Sequence, residues 1–238
     1  MVGPYKDLLR VALLVVDDAE RALGALESCV DRDARLLVGA LQDNIEMALG
    51  VVDQTARRVV QNERVPSDEK IVSIFEPHTD IIRKDRRDTL YGHKVFLTGG
   101  ASGLILDCTI EAGNPADATL ALPMLERQKA LYGRPPRQAA LDGGFASKDN
   151  LSAAKSRGIK DVCFAKKRGL TVERMCRSQW VYDRLRRFRA GVESVISWLK
   201  RALGFDRCPW KGRRSFGSYV WLTVVAANLK VLARAATQ

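Results

Sequence analysis

Apolar positions along this chain change spacing as the chain proceeds. Between residues 5 and 60, Leu8, Leu9, Ala12, Leu13 and Val16 recur at three-four intervals, as do Leu36, Leu37, Leu41, Ile45, Leu49 and Val52. That spacing returns to one face of a 3.6-residue helix and predicts two or three amphipathic helices, with Asp31 to Asp33 as a break between them. Gln61 to Lys70 is polar and contains Pro66, which suits a linker. From residue 71 short apolar runs take over. They predict strands at Ile71 to Phe75, His93 to Thr98 and Leu104 to Ala112, the last two joined by a hairpin-like Gly99-Gly100-Ala101-Ser102-Gly103 loop.

Further along, Gly113 to Asp117 turns into a helix predicted over 118–132, with Asp117 as its N-cap, and Gly133-Arg134-Pro135-Pro136 ends it. Arg137 to Asp142 reads as a short buried strand, Lys148 to Arg157 as a helix and Asp161 to Ala165 as another strand. After a basic turn at Lys166-Lys167-Arg168-Gly169, the residues Leu185, Phe188, Val192, Val195 and Leu199 mark one face of a long helix. Ser218 to Ala236 is apolar almost all round and predicts a closing core helix. The order of strands and helices describes an α/β fold whose first strands are antiparallel, preceded by a helical lobe. The domains expected are a lobe at 1–62, a linker at 63–70 and an α/β core at 71–238.

A chain of 238 residues with 46% hydrophobic residues can bury a sizeable core. No contiguous apolar run approaches the eighteen or more residues of a membrane span. The longest, Tyr219 to Ala227, is interrupted by Thr223, and the first residues do not read as a secretory signal. Cytoplasmic location and no membrane partner are expected. Cys29, Cys108, Cys163, Cys176 and Cys208 are scattered, odd in number and never paired as C-x-x-C, which suits reduced core thiols. His78 and His93, the only histidines, are fifteen positions apart on different predicted elements, so neither a histidine-rich metal site nor a Ser-His-Asp triad is expected.

The formal charge of +11 is concentrated at one end. Residues 165–238 hold seventeen Lys or Arg against four acids, which leaves the preceding residues slightly acidic. Arginines and lysines there alternate with Trp180, Tyr182, Phe188, Trp198 and Trp210. That mixture fits phosphate neutralisation over packed aromatic stems, although a solvated basic face has the same composition.

Candidate chemistry centres on Asp142 and Glu193. Asp142 ends a predicted strand before Gly143-Gly144, where open α/β sheets keep their functional groups. Glu193 lies about 100° round the helix from Val192, at the edge of the buried stripe. Two such carboxylates can converge on a hard divalent cation. The same residues also fit a turn Asp and a Glu paired with Arg189 or Lys200 along the helix.

Several segments resemble one known family in combination. They are Ile71-Val72-Ser73-Ile74-Phe75-Glu76-Pro77-His78-Thr79-Asp80, Tyr91-Gly92-His93-Lys94, Gly113-Asn114-Pro115-Ala116-Asp117, Leu141-Asp142-Gly143-Gly144-Phe145-Ala146-Ser147, Phe188-Arg189-Ala190-Gly191-Val192-Glu193 and Leu199-Lys200-Arg201. Together they resemble the C-terminal half of bacterial insertion-sequence transposases of the ISNCY group, which are DDE transposases with an RNase H-like core. The likeness runs over essentially the whole chain.

The resemblance implies an RNase H-like mixed sheet flanked by helices. It implies two Mg2+ (or Mn2+) ions held by two Asp and one Glu, with Asp142 similar to the second Asp and Glu193 to the Glu. Phosphodiester hydrolysis and strand transfer on DNA follow, with Arg189, Lys200 and Arg201 on backbone phosphate. The first Asp of such a site lies on the first core strand, in a segment resembling Asp-Ser-Thr, and no such segment occurs here. An N-terminally truncated core is therefore expected, lacking that strand and ligand, with Asp80 and Asp107 as in-chain candidates to replace it. A homo-oligomer, or a mixed assembly with intact transposase, is implied. The alternative is a catalytically silent remnant that binds DNA through its basic C-terminal region.

Overall fold

The structure is a computed structural model that describes residues 2–26, 31–84 and 88–237. The chain forms two compact units, Met1–His93 and Lys94–Gln238.

The first unit begins with helices α1 (Val2–Leu26) and α2 (Arg32–Thr55), which pack on each other. Asp31 caps α2 by accepting the backbone N–H groups of Asp33 and Ala34, both at 3.1 Å. The acidic break expected at 31–33 is thus a helix start, where side-chain oxygens satisfy otherwise unpaired donors. A π turn at Ala56–Val60 ends the helical run. Arg57 then binds Glu63 and Glu69 at 2.6 and 3.0 Å, tying the 63–70 segment to the helix end.

Ile71 to Phe75, expected as a strand, is not one. The Gln54 amide bonds both the N–H and the C=O of Ile71 at 2.9 Å, and Ile71 packs where Gly50 has no side chain. A side chain has taken the place of a strand partner. The strands of this unit are instead β1 (Asp80–Lys84) and β2 (Asp88–Gly92), an antiparallel pair with Asp80 opposite Gly92. Their polar composition carries no alternation that predicts them.

The second unit opens with the antiparallel pair β3 (Val95–Gly99) and β4 (Ile105–Ile110), close to expectation. Helix α3 (Asp117–Tyr132) follows; Ala116, not Asp117, is its N-cap, and Asp117 is the first helical residue. Strands β5 (Gln138–Leu141) and β6 (Asp161–Phe164) pair in parallel through the crossover helix α4 (Lys148–Ser156). A short helix α5 (Val172–Met175), the long α6 (Gln179–Leu203) and α7 (Arg213–Ala236) complete the unit.

Two apolar cores result. One gathers Phe145, Ile159 and Met175 with Val162 and Phe164 of β6, and the other gathers Leu199, Val220 and Val224 with Ile105 and Cys108 of β4. Helix α6 serves both: Val181, Tyr182 and Leu185 are buried in the first and Leu199 in the second. Phe188 and Val192, between those ends, are only half-buried.

In place of the mixed sheet expected, the described residues form three two-stranded ladders. Among the described residues, β3 pairs only with β4 and β5 only with β6, so each keeps one edge without a ladder. No described strand bridges them. Helix α7 also departs from expectation, because only one side of it is core. Val220, Thr223, Val224 and Ala227 are buried, whereas Trp221, Leu222, Val225, Leu229 and Leu232 are exposed. By length and composition alone α7 could cross a membrane, a reading that counting contiguous apolar residues misses. Asn228 clamps it to β4, bonding both the N–H and the C=O of Ile105 at 2.8 Å.

Candidate active site

Asp142 follows the last residue of β5, at the carboxyl end of the parallel pair. Its Oδ1 accepts the Gly143 N–H at 2.6 Å and starts a 3-10 turn over Gly143–Phe145. Gly143 and Gly144 are there for space rather than for left-handed backbone, since neither has positive φ. A Cβ on Gly143 would lie 2.8 Å from Cγ of Lys166, and one on Gly144 would collide with the Asp117 carboxylate. That carboxylate pairs with Nζ of Lys94 at 3.0 Å, and Lys94 also donates to the Pro115 carbonyl at 2.9 Å. Buried Asn150 fixes the turn from below, its amide donating to the carbonyls of Ala118 and Phe145 at 2.7 and 2.9 Å.

Glu193 lies on α6, one helical turn after Arg189. Nη1 of Arg189 is 2.5 Å from Oε1 of Glu193 and 3.5 Å from Oδ1 of Asp142. The fold therefore brings Asp142 and Glu193 to a single cation, although α6 begins well after β5 in the chain. Both carboxylates face water, at 66% and 59% side-chain exposure, whereas Arg189 is 21% exposed. Among the described residues the Arg189 Nε is buried with no hydrogen-bond partner.

This pair fits a hard divalent ion in kind: two carboxylates sharing one cationic nitrogen and open to solvent. Mg2+ is commonly held by one or two carboxylates with water and substrate phosphate completing the shell. No group of three or more His, Cys, Asp or Glu suited to a metal occurs among the described residues. Asp107 is committed elsewhere: it is buried and accepts Nε and Nη2 of Arg127, both at 2.8 Å. Arg127 holds its carboxyl below the ordinary range, overcoming the opposing effect of burial. Asp80 is bonded to His93 in the first unit, at 2.9 Å.

The histidines do come together. Nδ1 of His78 is 2.8 Å from Nε2 of His93, whose Nδ1 faces Asp80, while Glu76 lies 2.7 Å from Nε2 of His78. The contact of Glu76 with His78 meets ion-pair distance without hydrogen-bond alignment. The β1–β2 hairpin explains the meeting: with Asp80 opposite Gly92, His93 falls beside the residues just before β1. Three of the cysteines offer no nucleophile near neutrality. Cys108, Cys163 and Cys176 are buried, and burial pushes each thiol up to about 11. Cys208 is half-buried rather than core, and Cys29 lies outside the described residues.

Lys200 and Arg201 are exposed in the last turn of α6. Aromatic residues support neighbouring cations, with Arg184 over Trp180 at 5.0 Å and Lys230 over Trp198 at 4.6 Å. Asp117, Lys94 and Lys166 at the Asp142 turn were not expected from the sequence. The Gly143-Gly144 pair was the available signal, since paired glycines mark close approach as well as turning.

Neither the curated proteins nor the solved structures contain a match to this chain. A family model described as Transposase DDE domain matches residues 47–229, from within α2 to within α7. With the match spanning most of the chain, the protein belongs to the DDE transposase family.

Proposed function

We propose that this chain is the metal-binding and DNA-binding part of an ISNCY-group transposase with an RNase H-like core, and that Asp142 and Glu193 are two of its three acidic ligands. The observation that carries this reading is their convergence on one guanidinium nitrogen. Two Mg2+ or Mn2+ ions, when bound, would supply activation of water or a 3′-hydroxyl and stabilisation of the leaving oxygen in DNA cleavage and strand transfer. Asp142, fixed by the Gly143 N–H, and Glu193, fixed along α6, hold the negative charge that such ions require. Lys200, Arg201 and a released Arg189 hold backbone phosphate and orient DNA without reading its sequence.

The third carboxylate and the strand bearing it are, on this reading, supplied from outside residues 1–238, as in an N-terminally truncated form. In support, Asp107 is bound to Arg127, Asp80 to His93, and among the described residues β3 and β5 each lack a ladder on one side. Residues 1–62 act as the family's helical insertion, 63–70 as its linker and 71–238 as the catalytic core. Its workplace is the cytoplasm, in a homo-oligomer or with an intact transposase.

The two-carboxylate site also favours a second reading, a remnant that binds DNA without cutting it. Plasmid nicking and DNA binding with Mn2+, in the wild type and Asp142→Asn, separate the two. Nicking that disappears in Asp142→Asn establishes the enzyme. Salt-sensitive binding without nicking in either protein establishes the remnant, and DNA affinity indifferent to salt contradicts both.

A further inference from the structure

We propose that Arg189 is a displaceable counter-cation, holding Asp142 and Glu193 when the site lacks a divalent ion and turning to a DNA phosphate when one binds. This rests on the reading of those carboxylates as an ion seat and adds how the seat is regulated.

Four observations lead there. First, the competition is for the same atoms: Nη1 of Arg189 contacts Oδ1 of Asp142 and Oε1 of Glu193. Oxygens facing a common cation are those a divalent ion would take. Second, the hold is weak. Both carboxylates are mostly exposed, where ion pairs are screened by water. Along α6 the arginine also precedes the glutamate, the less favourable order for a helical pair.

Third, the present position leaves Nε of Arg189 buried and unpaired among the described residues. A buried donor without an acceptor is costly, so this placement leaves hydrogen-bonding capacity unused. A phosphate engaged through Nε and a terminal nitrogen together uses the fork fully. Fourth, the local charge changes sign. Asp142, Glu193 and Arg189 together carry one net negative charge, which repels DNA. With a divalent ion added they carry one net positive charge, with the guanidinium free to face phosphate.

The test is a calorimetric Mn2+ titration of the full chain without DNA, comparing wild type, Arg189→Gln, Arg189→Lys, Arg187→Gln and Asp142→Asn, with melting temperatures confirming that each folds. Arg187 is exposed and lies outside the pair, so it controls for loss of a charge on the same helix. Arg189→Gln is expected to bind Mn2+ roughly 1.5- to fivefold more tightly, the range that weak exposed ion pairs allow. Arg189→Lys should lie between it and the wild type, and Arg187→Gln should match the wild type. In a companion DNA titration, both proteins should gain affinity on adding Mn2+, because the ion's charge relieves repulsion in each, but the gain should be larger in wild type, where a guanidinium is also freed for phosphate.

An Arg189→Gln affinity equal to or weaker than wild type, with Asp142→Asn still impaired, overturns the counter-cation alone. An equal gain in Arg187→Gln overturns it too, by reducing the effect to bulk charge. Wild type and Asp142→Asn binding Mn2+ alike would instead overturn the ion seat, and the inference with it.

Discussion

Asp142 and Glu193, separated by two helices, a strand and more than half of a third helix, are partners of the same nitrogen of Arg189, at 3.5 and 2.5 Å. The fold makes this meeting through two rigid supports: the parallel β5–β6 pair that ends at Asp142, and α6, which packs on both strands.

The Asp142 turn depends on the absence of a side chain at Gly144. In Gly144→Ala the new methyl would strike the Asp117 carboxylate and displace it from Lys94. A destabilisation of about 1–3 kcal/mol is expected from such overpacking. Thermal melts of Gly144→Ala and of Gly144→Ala with Asp117→Ala check it: the second change should recover much of the loss. Absence of recovery would mean that the clash is not with Asp117.

Asp107 gives the fold an acid-sensitive element. Its folded carboxyl titrates below the ordinary value of 3.8, chiefly because Arg127 bonds it, so its stabilising effect is full above that value. The contribution is lost as pH falls from 3.8 through the folded pKa. Asp107→Asn should cost about 1–3 kcal/mol near neutrality, short of the full penalty for a buried pair because Arg127 is half-exposed. Denaturant midpoints measured across acid pH should show the wild-type advantage shrinking below that point.

Asn228 holds α7 on β4. Asn228→Ala leaves both backbone groups of Ile105 without their partner and should cost about 1–3 kcal/mol. Asn228→Asp keeps an acceptor for the N–H but loses the donor to the C=O, so it should be impaired as well. Hydrogen exchange at Ile105 would report the loosening directly, and unchanged protection in Asn228→Ala would refute the clamp.

Lys200 and Arg201 are expected to act by charge. Removing either should weaken DNA binding to unrelated sequences alike, and should flatten the dependence of log affinity on log salt by ~1 for each phosphate no longer neutralised. A loss confined to one DNA sequence would show that the residue reads bases.

Three-four spacing of apolar residues revealed α1, α2 and α6, although in the first two it marks a thinly covered face: Leu8, Leu36 and Leu37 are exposed and α2 has no buried residue. Strands β3, β4 and β5 were legible as short apolar runs bounded by turn residues, with Asp142 at the end of β5. The apolar pattern failed where partners other than a buried face decide structure. Ile71 has strand composition but its backbone is satisfied by Gln54, and the β1–β2 hairpin is too polar to betray itself. With that hairpin unseen, the meeting of His78 and His93 could not be read either. At the site, residue spacing placed Asp142 and Glu193 on their elements and offered Arg189 as a helical partner of Glu193, a pair the structure contains, but it could not show the same nitrogen reaching Asp142. Asp117 illustrates a further limit: it was expected to cap α3, yet its carboxylate serves Lys94 and the Gly144 surface.

On the function proposed, Asp142 and Glu193 form one divalent-ion seat. Mn2+ binding to wild type, Asp142→Asn, Glu193→Gln and the double variant, followed by calorimetry, tests it most directly. Expected is binding by the wild type that each single substitution largely removes, with the double variant little worse than either. Equal Mn2+ affinity in the wild type and the double variant would contradict the account.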